Sequence, residues 1–330
     1  MKKLSLLATG GTIASVAGEN GLTPGISGAE LLEKVNLTGV EITCWDVFAL
    51  DSSNVQPEEW RVLAAAAFHA AQEADGVVIT HGTDTMAYSA AALSFMLHGL
   101  RVPVVFTGSQ LPMGHLLSDA PVNLAEAVET ARTAPPGVYI TFNHKIIRGC
   151  RAVKMRTTSF DAFDSINEAP AGYLDSEGAH YRTVPMREPM GQPELLDQLE
   201  PRVFLLKLMP GTTPEIFDWI ASSGIRGVVL EAFGLGGLHY IRRNLVDRLR
   251  MLSERGVVTL VTTQCMYEKT DFSVYEVGSG VLSDRVYSGR DMTGEAAVAK
   301  LMWALGDPER RLELLNENVC GEMAGQEDDR

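Results

Sequence analysis

Short β-branched runs alternate with helix-forming stretches along most of this chain, and few folds accommodate that order. Strands are expected over Leu4–Ala8, Glu41–Phe48, Gly76–Thr80, Pro103–Thr107 and Val138–Phe142. Helices are expected between them, over Gly28–Val35, Pro57–Ala74, Asp84–Leu97 and Asp119–Arg132. The second helix opens on a proline followed by Glu58 and Glu59, which suits a helix N-terminus, and its body "WRVLAAAAFHAAQEA" is made of strong helix formers. Strand–helix alternation implies a parallel sheet covered on both faces. The pattern fades between Tyr181 and Pro201, where four prolines interrupt it, and then resumes. Strands follow at Val203–Leu208, Gly227–Leu230 and Val257–Thr262. Helices follow at Thr213–Ser222, Ile241–Arg255, Gly294–Leu305 and Pro308–Asn318. The expected architecture is two α/β domains: a larger N-terminal one over 1–190 carrying the site, a linker at 191–202, and a smaller C-terminal one over 203–330.

Composition excludes several partners. At 330 residues and 45% apolar, the chain can build sizeable cores. A formal charge of −14 opposes binding to nucleic acid or to an anionic membrane surface, both of which need concentrated basic surface. No stretch approaches the roughly 20 apolar residues of a membrane span. The opening "MKKLSLLATGG" is too short in its apolar part to act as a secretory leader. Four scattered cysteines, with no CxxC among them, read as reduced thiols of a cytoplasmic protein.

Open parallel sheets bind ligands beyond the carboxyl ends of their strands. The four loops there are "ATGGTIAS", "ALDSSNVQP", "THGTDTM" and "TGSQLPM", all rich in Gly, Ser, Thr and Asp and without a basic residue beyond one histidine. A nucleotide site would want a Walker lysine or a spaced glycine fingerprint. Seven histidines with no HxH or HExxH pair give no metal site, and no cofactor is expected. Acyl transfer through a hydroxyl suits the loops better. Thr12 and Thr83 are the candidate nucleophiles, with Asp84 beside the second, because a threonine hydroxyl attacks only with a base to take its proton. Capping of the following helix is the competing role for Thr83, Asp84 or Thr85, and a plain Asx turn is the competing role for the segment 51–54.

"TGGTIAS" and "THGTDTMAYSAAALSFML" resemble the two signature stretches of the L-asparaginase family. "LDSSN", "VFTGSQLP", "RAVKMRTTSFDAF" and "VTTQC" fit the same family in the same order, from about Lys3 to Leu305. The "DSS" and "TGSQ" loops resemble the bacterial type I, cytoplasmic branch. The resemblance implies that Thr12 is the nucleophile and that Thr83, Asp84 and Lys154 relay protons. Lys154 can act as a base only after giving up its proton, which burial favours and a neighbouring carboxylate opposes. The resemblance also implies that Asp51, Ser52, Ser53, Thr83 and Asp84 hold the amino acid's charged ends, with Ser109 near its amide. It implies a lid over Ser15–Gly25, a substrate of L-asparagine, and assembly into dimers or tetramers. The lid holds Leu22 where many members have tyrosine, and "FGLGGLHY" has glycines where some members have a partner-supplied asparagine. Cys265 reads as a small residue ending a strand, and His81 as structural. Two other functions fit the same scaffold. One is a non-catalytic asparagine sensor. The other is a subunit that deamidates glutamyl-tRNA, a class expected to carry an extra domain before the first threonine motif.

Overall fold

The five N-terminal runs line up side by side, in an order that does not follow the chain. The computed structural model describes residues 1–18, 21–182, 191–272 and 285–324. Strands β1 (Lys2–Gly10), β2 (Val40–Leu50), β3 (Gly76–Thr80), β4 (Pro103–Thr107) and β5 (Gly137–Phe142) pair in the order β2-β1-β3-β4-β5, every pair parallel. The order reverses between β1 and β3. Loops leaving those two strands turn to opposite faces and open a crevice at the carboxyl edge, where open sheets hold their ligands. All of β3 and β4 is buried, so those strands read as continuous apolar runs.

Helices Gly28–Glu33, Pro57–Glu73, Met86–Met96 and Ala120–Thr133 cover the sheet. The expected boundaries hold to within a few residues. One core gathers Leu4, Leu6, Val78, Val105, Leu124 and Ala127 between the sheet and the Ala120–Thr133 helix. Each fully buried Leu, Val or Ile there contributes about 1.5–3 kcal/mol of burial free energy.

Three antiparallel strands extend the sheet past β5: Lys145–Arg148, Gly172–Asp175 and Gly178–Tyr181. Sequence patterning shows no sign of them, because they are short hairpin strands with many half-exposed side chains. The turn joining the first of them to β5 sets Asn143 and His144 at positive φ, 48° and 64°. The segment after Arg148 starts with a 3-10 turn over Gly149–Arg151 and only then forms a strand, Ala152–Lys154. That strand pairs antiparallel with Phe163–Ser165, which makes a hairpin carrying Lys154 at its end.

The expected lid is an antiparallel hairpin, Ser15–Gly18 with Gly21–Pro24. Its base is fixed where the Gly25 and Ile26 N–H groups both donate to the Ala14 carbonyl at 2.9 Å. Glu19, Asn20 and the side chain of Leu22 lie outside the described residues.

The chain divides into two compact units, Met1–Asp197 and Gln198–Arg330. Glu194–Leu195 pairs with Leu97–His98 inside the first unit. The second unit holds a four-stranded parallel sheet of Val203–Lys207, Gly227–Ala232, Val258–Thr263 and Val286–Ser288, in chain order. The last of these strands is not legible in the sequence. The fold is therefore two α/β domains, the larger N-terminal and the smaller C-terminal, each with a mainly parallel sheet. Among the described residues no helix is long and apolar enough to cross a membrane.

Candidate active site

Two glycines bring the loops after β1 and β3 into backbone contact. A Cβ on Gly11 would stand 2.4 Å from the Gly82 nitrogen, and one on Gly82 would stand 2.6 Å from the Ser52 hydroxyl. Gly11 also needs φ of +76°, which L side chains rarely adopt. "TGG" and "THG" are thus written for close approach, and each glycine is followed directly by a threonine. The loops bearing Thr12 and Thr83 are joined in this way.

Thr12 opens a 3-10 turn, Thr12–Ala14, and is half-buried. Among the described residues its hydroxyl makes no hydrogen bond. The turn is braced by the Gly11 N–H on the Leu50 carbonyl at 2.9 Å and by the Ser15 hydroxyl on the Gly11 carbonyl at 2.9 Å. The loop after β4 reaches the same place, with the Met113 N–H 3.4 Å from the Ile13 carbonyl.

Lys154 arrives from the hairpin. Its Nζ donates to the Thr83 Oγ1 at 2.8 Å and to the Asp84 Oδ1 at 2.6 Å. The lysine side chain is 15% exposed and the aspartate 61%, so the cation is enclosed while the carboxylate faces open solvent. That asymmetry leaves Asp84 able to meet a second cation from outside. The hairpin is held in turn by Lys145, which pairs with Asp161 and Asp164 at 2.7 Å each. Lys145 keeps its charge: burial works against it, but the two carboxylates outweigh that and raise its pKa.

The segment after β2 lies beside this group. Asp51 caps a 3-10 turn, Ser52–Asn54, by accepting the Ser53 N–H at 2.8 Å. Ser52 is buried against Gly82, while Asp51 and Ser53 are exposed. The Thr85 hydroxyl donates to the Ser52 carbonyl at 2.7 Å, so the second and third loops are tied. Thr85 therefore bridges two loops, and among the described residues it makes no side-chain cap to the Met86–Met96 helix. Ser109 is fully buried, with its hydroxyl on the Leu111 carbonyl of its own loop at 2.5 Å.

His81 is fully buried and structural. Its Nδ1 sits 2.7 Å from the Gly82 carbonyl and its Nε2 3.0 Å from the Ser89 hydroxyl, which also accepts the Trp60 indole N–H at 3.0 Å. The carbonyl can only accept, which assigns the proton to Nδ1. Burial pushes its pKa down to about 4, partly countered by the Gly82 carbonyl. A neutral imidazole thus holds the Gly82 carbonyl next to Thr83.

Sequence reasoning misses Gln110 and Asp119. The Thr83 hydroxyl donates to the Gln110 Oε1 at 3.4 Å, and the Asp119 carboxylate accepts the Gln110 and Leu111 N–H groups at 2.9 and 3.1 Å. Gln110 stands inside "TGSQ", next to the more conspicuous serine. Among the described residues no cluster of three or more His, Cys, Asp or Glu could hold a metal ion.

The chemistry on offer is a threonine hydroxyl in the first loop, a hydroxyl and a carboxylate in the loop joined to it, and a lysine brought to both by a separate hairpin, at the switch point of a parallel sheet. Comparison with known proteins points the same way. Residues 3–187 match the family described as "Asparaginase, N-terminal", and residues 202–315 match "Glutaminase/Asparaginase C-terminal domain". The chain is 41% identical over 329 residues to a protein named L-asparaginase from Thermococcus kodakarensis, covering 98% of this chain and 99% of that one. It is 35% identical over 336 residues to a glutamyl-tRNA(Gln) amidotransferase polypeptide from Archaeoglobus fulgidus, covering 97% of this chain and 79% of that one. Its fold superimposes on the thermostable L-asparaginase from Thermococcus kodakarensis with a TM-score of 0.91 at 40% identity, covering 98% and 100% of the two chains. For L-asparaginase I from Vibrio cholerae the TM-score is 0.84 at 30% identity, covering 98% and 99%.

Proposed function

The chain belongs to the asparaginase family, and from that premise we propose that it hydrolyses L-asparagine to L-aspartate and ammonia. One observation carries the site assignment: Lys154, from a separate hairpin, lies within hydrogen-bond distance of both Thr83 and Asp84. Thr12 attacks the side-chain amide carbon. Its proton passes to Lys154 as Lys154 hands one to the Thr83 oxygen and Thr83 gives its own hydrogen to the departing nitrogen, which leaves as ammonia. The Thr12 ester that remains is opened by water, releasing aspartate. Backbone N–H groups at the start of the Thr12–Ala14 turn supply donors to the oxyanion, since the first N–H groups of a helical turn have no partner within it. The exposed carboxylate of Asp84 meets the substrate ammonium. Ser52 and Ser53, with Asp51 shaping their turn, meet the charged ends of the amino acid. Ser109 supports the amide end through its own loop.

The relatives do not select a bacterial type I branch. An archaeal L-asparaginase stands at 41% identity and a bacterial L-asparaginase I at 30%. We place the enzyme in the cytoplasm as a homo-oligomer without a cofactor. Its four cysteines form no disulfide with one another, and the apolar run from Leu4 to Ala8 lies in the buried part of strand β1. The amidotransferase relatives keep a second reading open, a deamidase acting on charged tRNA, which the net charge of −14 opposes.

Ammonia release from free asparagine, free glutamine and misacylated tRNA tests these readings together. Release from asparagine is expected, with Thr12→Ala and Lys154→Met each lowering kcat by about a thousandfold or more, in the range of lost nucleophilic or general-base function. Wild-type turnover by Thr12→Ala would overturn the assignment of the nucleophile.

A further inference from the structure

The Thr83 hydroxyl has one hydrogen and two lone pairs, and its neighbours decide where they point. Lys154 donates into one lone pair at 2.8 Å. The hydrogen then needs an acceptor, and Gln110 Oε1 is the one the structure supplies, at 3.4 Å. A glutamine could present either end of its amide. Here the other end, Nε2, lies 2.9 Å from the Ser159 carbonyl, which can only accept. That contact fixes the amide with its oxygen toward Thr83.

Gln110 is itself held from behind. Asp119 takes its N–H at 2.9 Å and takes the Asn123 Nδ2 at 3.0 Å. Asn123 also donates to the Gly108 carbonyl at 3.0 Å and accepts the Asn143 N–H at 3.0 Å. Ser159 belongs to the loop of the Lys154 hairpin, between Ala152–Lys154 and Phe163–Ser165. One amide therefore spans the hydroxyl that relays the proton and the loop that delivers the lysine.

We propose that Gln110 is a positioning residue that sets the proton direction at Thr83, keeping the lone pair of Thr83 turned to Lys154 in the free enzyme. The inference rests on Thr83 and Lys154 forming the proton relay of the hydrolysis. At 3.4 Å the Thr83–Gln110 bond is long, so substrate can take over the hydroxyl hydrogen at little cost.

Gln110→Met removes both ends of the amide at similar size, and Gln110→Glu keeps an oxygen toward Thr83 but sets a second one against the Ser159 carbonyl. Each is expected to lower kcat for asparagine about tenfold or more, with KM within about twofold and an unchanged melting temperature, the pattern of a misplaced catalytic group. In a Thr83→Val background there is no hydroxyl to direct. Adding Gln110→Met there should leave the residual rate within about twofold. Wild-type kcat in both single variants, or a full multiplicative loss in the double variant, overturns the proposal. Thr83→Val and Lys154→Met assayed alongside separate the two failures. If these two keep wild-type turnover, the relay itself is wrong; if they lose it while the Gln110 variants do not, only the role of Gln110 is wrong.

Discussion

His81 shows how little a residue's type says about its work. Beside a candidate catalytic threonine, an imidazole invites assignment as a base. Its burial and its two hydrogen bonds make it a neutral strut for the Gly82 carbonyl. Burial holds its pKa down to about 4 from an ordinary 6.5, so the folded state refuses a proton that the unfolded chain accepts. Its contribution to stability is complete above the unfolded value and is lost as pH falls from there toward about 4. The full loss is about 3 kcal/mol, taking 1.36 kcal/mol per pKa unit. Urea unfolding at pH 7 and pH 4.5 checks this: His81→Gln should lose less stability on acidification than the wild type. Gln110, by contrast, carries no sign of its role beyond a place in "TGSQ", because a glutamine is legible only once its two partners are known.

Among elements, the loops matter more than the strands that carry them. The strand expectations for β3 and β4 match the structure residue for residue, since buried runs with turn residues at both ends leave little freedom. The lysine hairpin is not readable: Ala152–Lys154 is three residues long and pairs with another strand of three, Phe163–Ser165, too short for any period. Thr85 belongs to this scale too. Its position before a helix suggests packing or capping, and its hydroxyl instead joins the loop after β3 to the Ser52 carbonyl of the loop after β2. Thr85→Val removes that bridge, leaves the Ser52 carbonyl to the Val55 N–H of its own turn at 3.1 Å, and loosens the segment proposed to meet the substrate's charged ends. A rise in KM for asparagine of about fivefold is expected, with a smaller change in kcat, for the loss of about 1 kcal/mol of binding-site order. Steady-state kinetics with asparagine decides it; an unchanged KM would mean that the Ser52 turn stands without the bridge.

At the scale of the molecule, the smaller domain contains a device that the sequence hides completely. Lys300 and Glu322 form an ion pair at 2.6 Å with both side chains at 0% exposure. Burial pushes the Glu322 carboxyl pKa up, but Lys300 and the Val319 and Cys320 N–H groups pull it below the usual range. Lys300 also donates to the Glu317 carbonyl at 2.5 Å, so the pair fastens the C-terminal segment to the Gly294–Gly306 helix. Glu322→Gln leaves a buried cation without its counter-charge and should cost about 3–5 kcal/mol, read as a lower denaturant midpoint. The sequence by itself determined the two α/β domains, the parallel sheets and the four polar loops at one sheet edge. Those follow from local periodicity and turn chemistry, which act between near neighbours. Tertiary structure alone decided that β1 lies beside β3 and that Gly11 meets Gly82, and it supplied the contact of Lys154 with Thr83 and Asp84, a grouping implied beforehand only by the family resemblance. Contacts of that kind arise from strand order and close packing, and no local pattern encodes them.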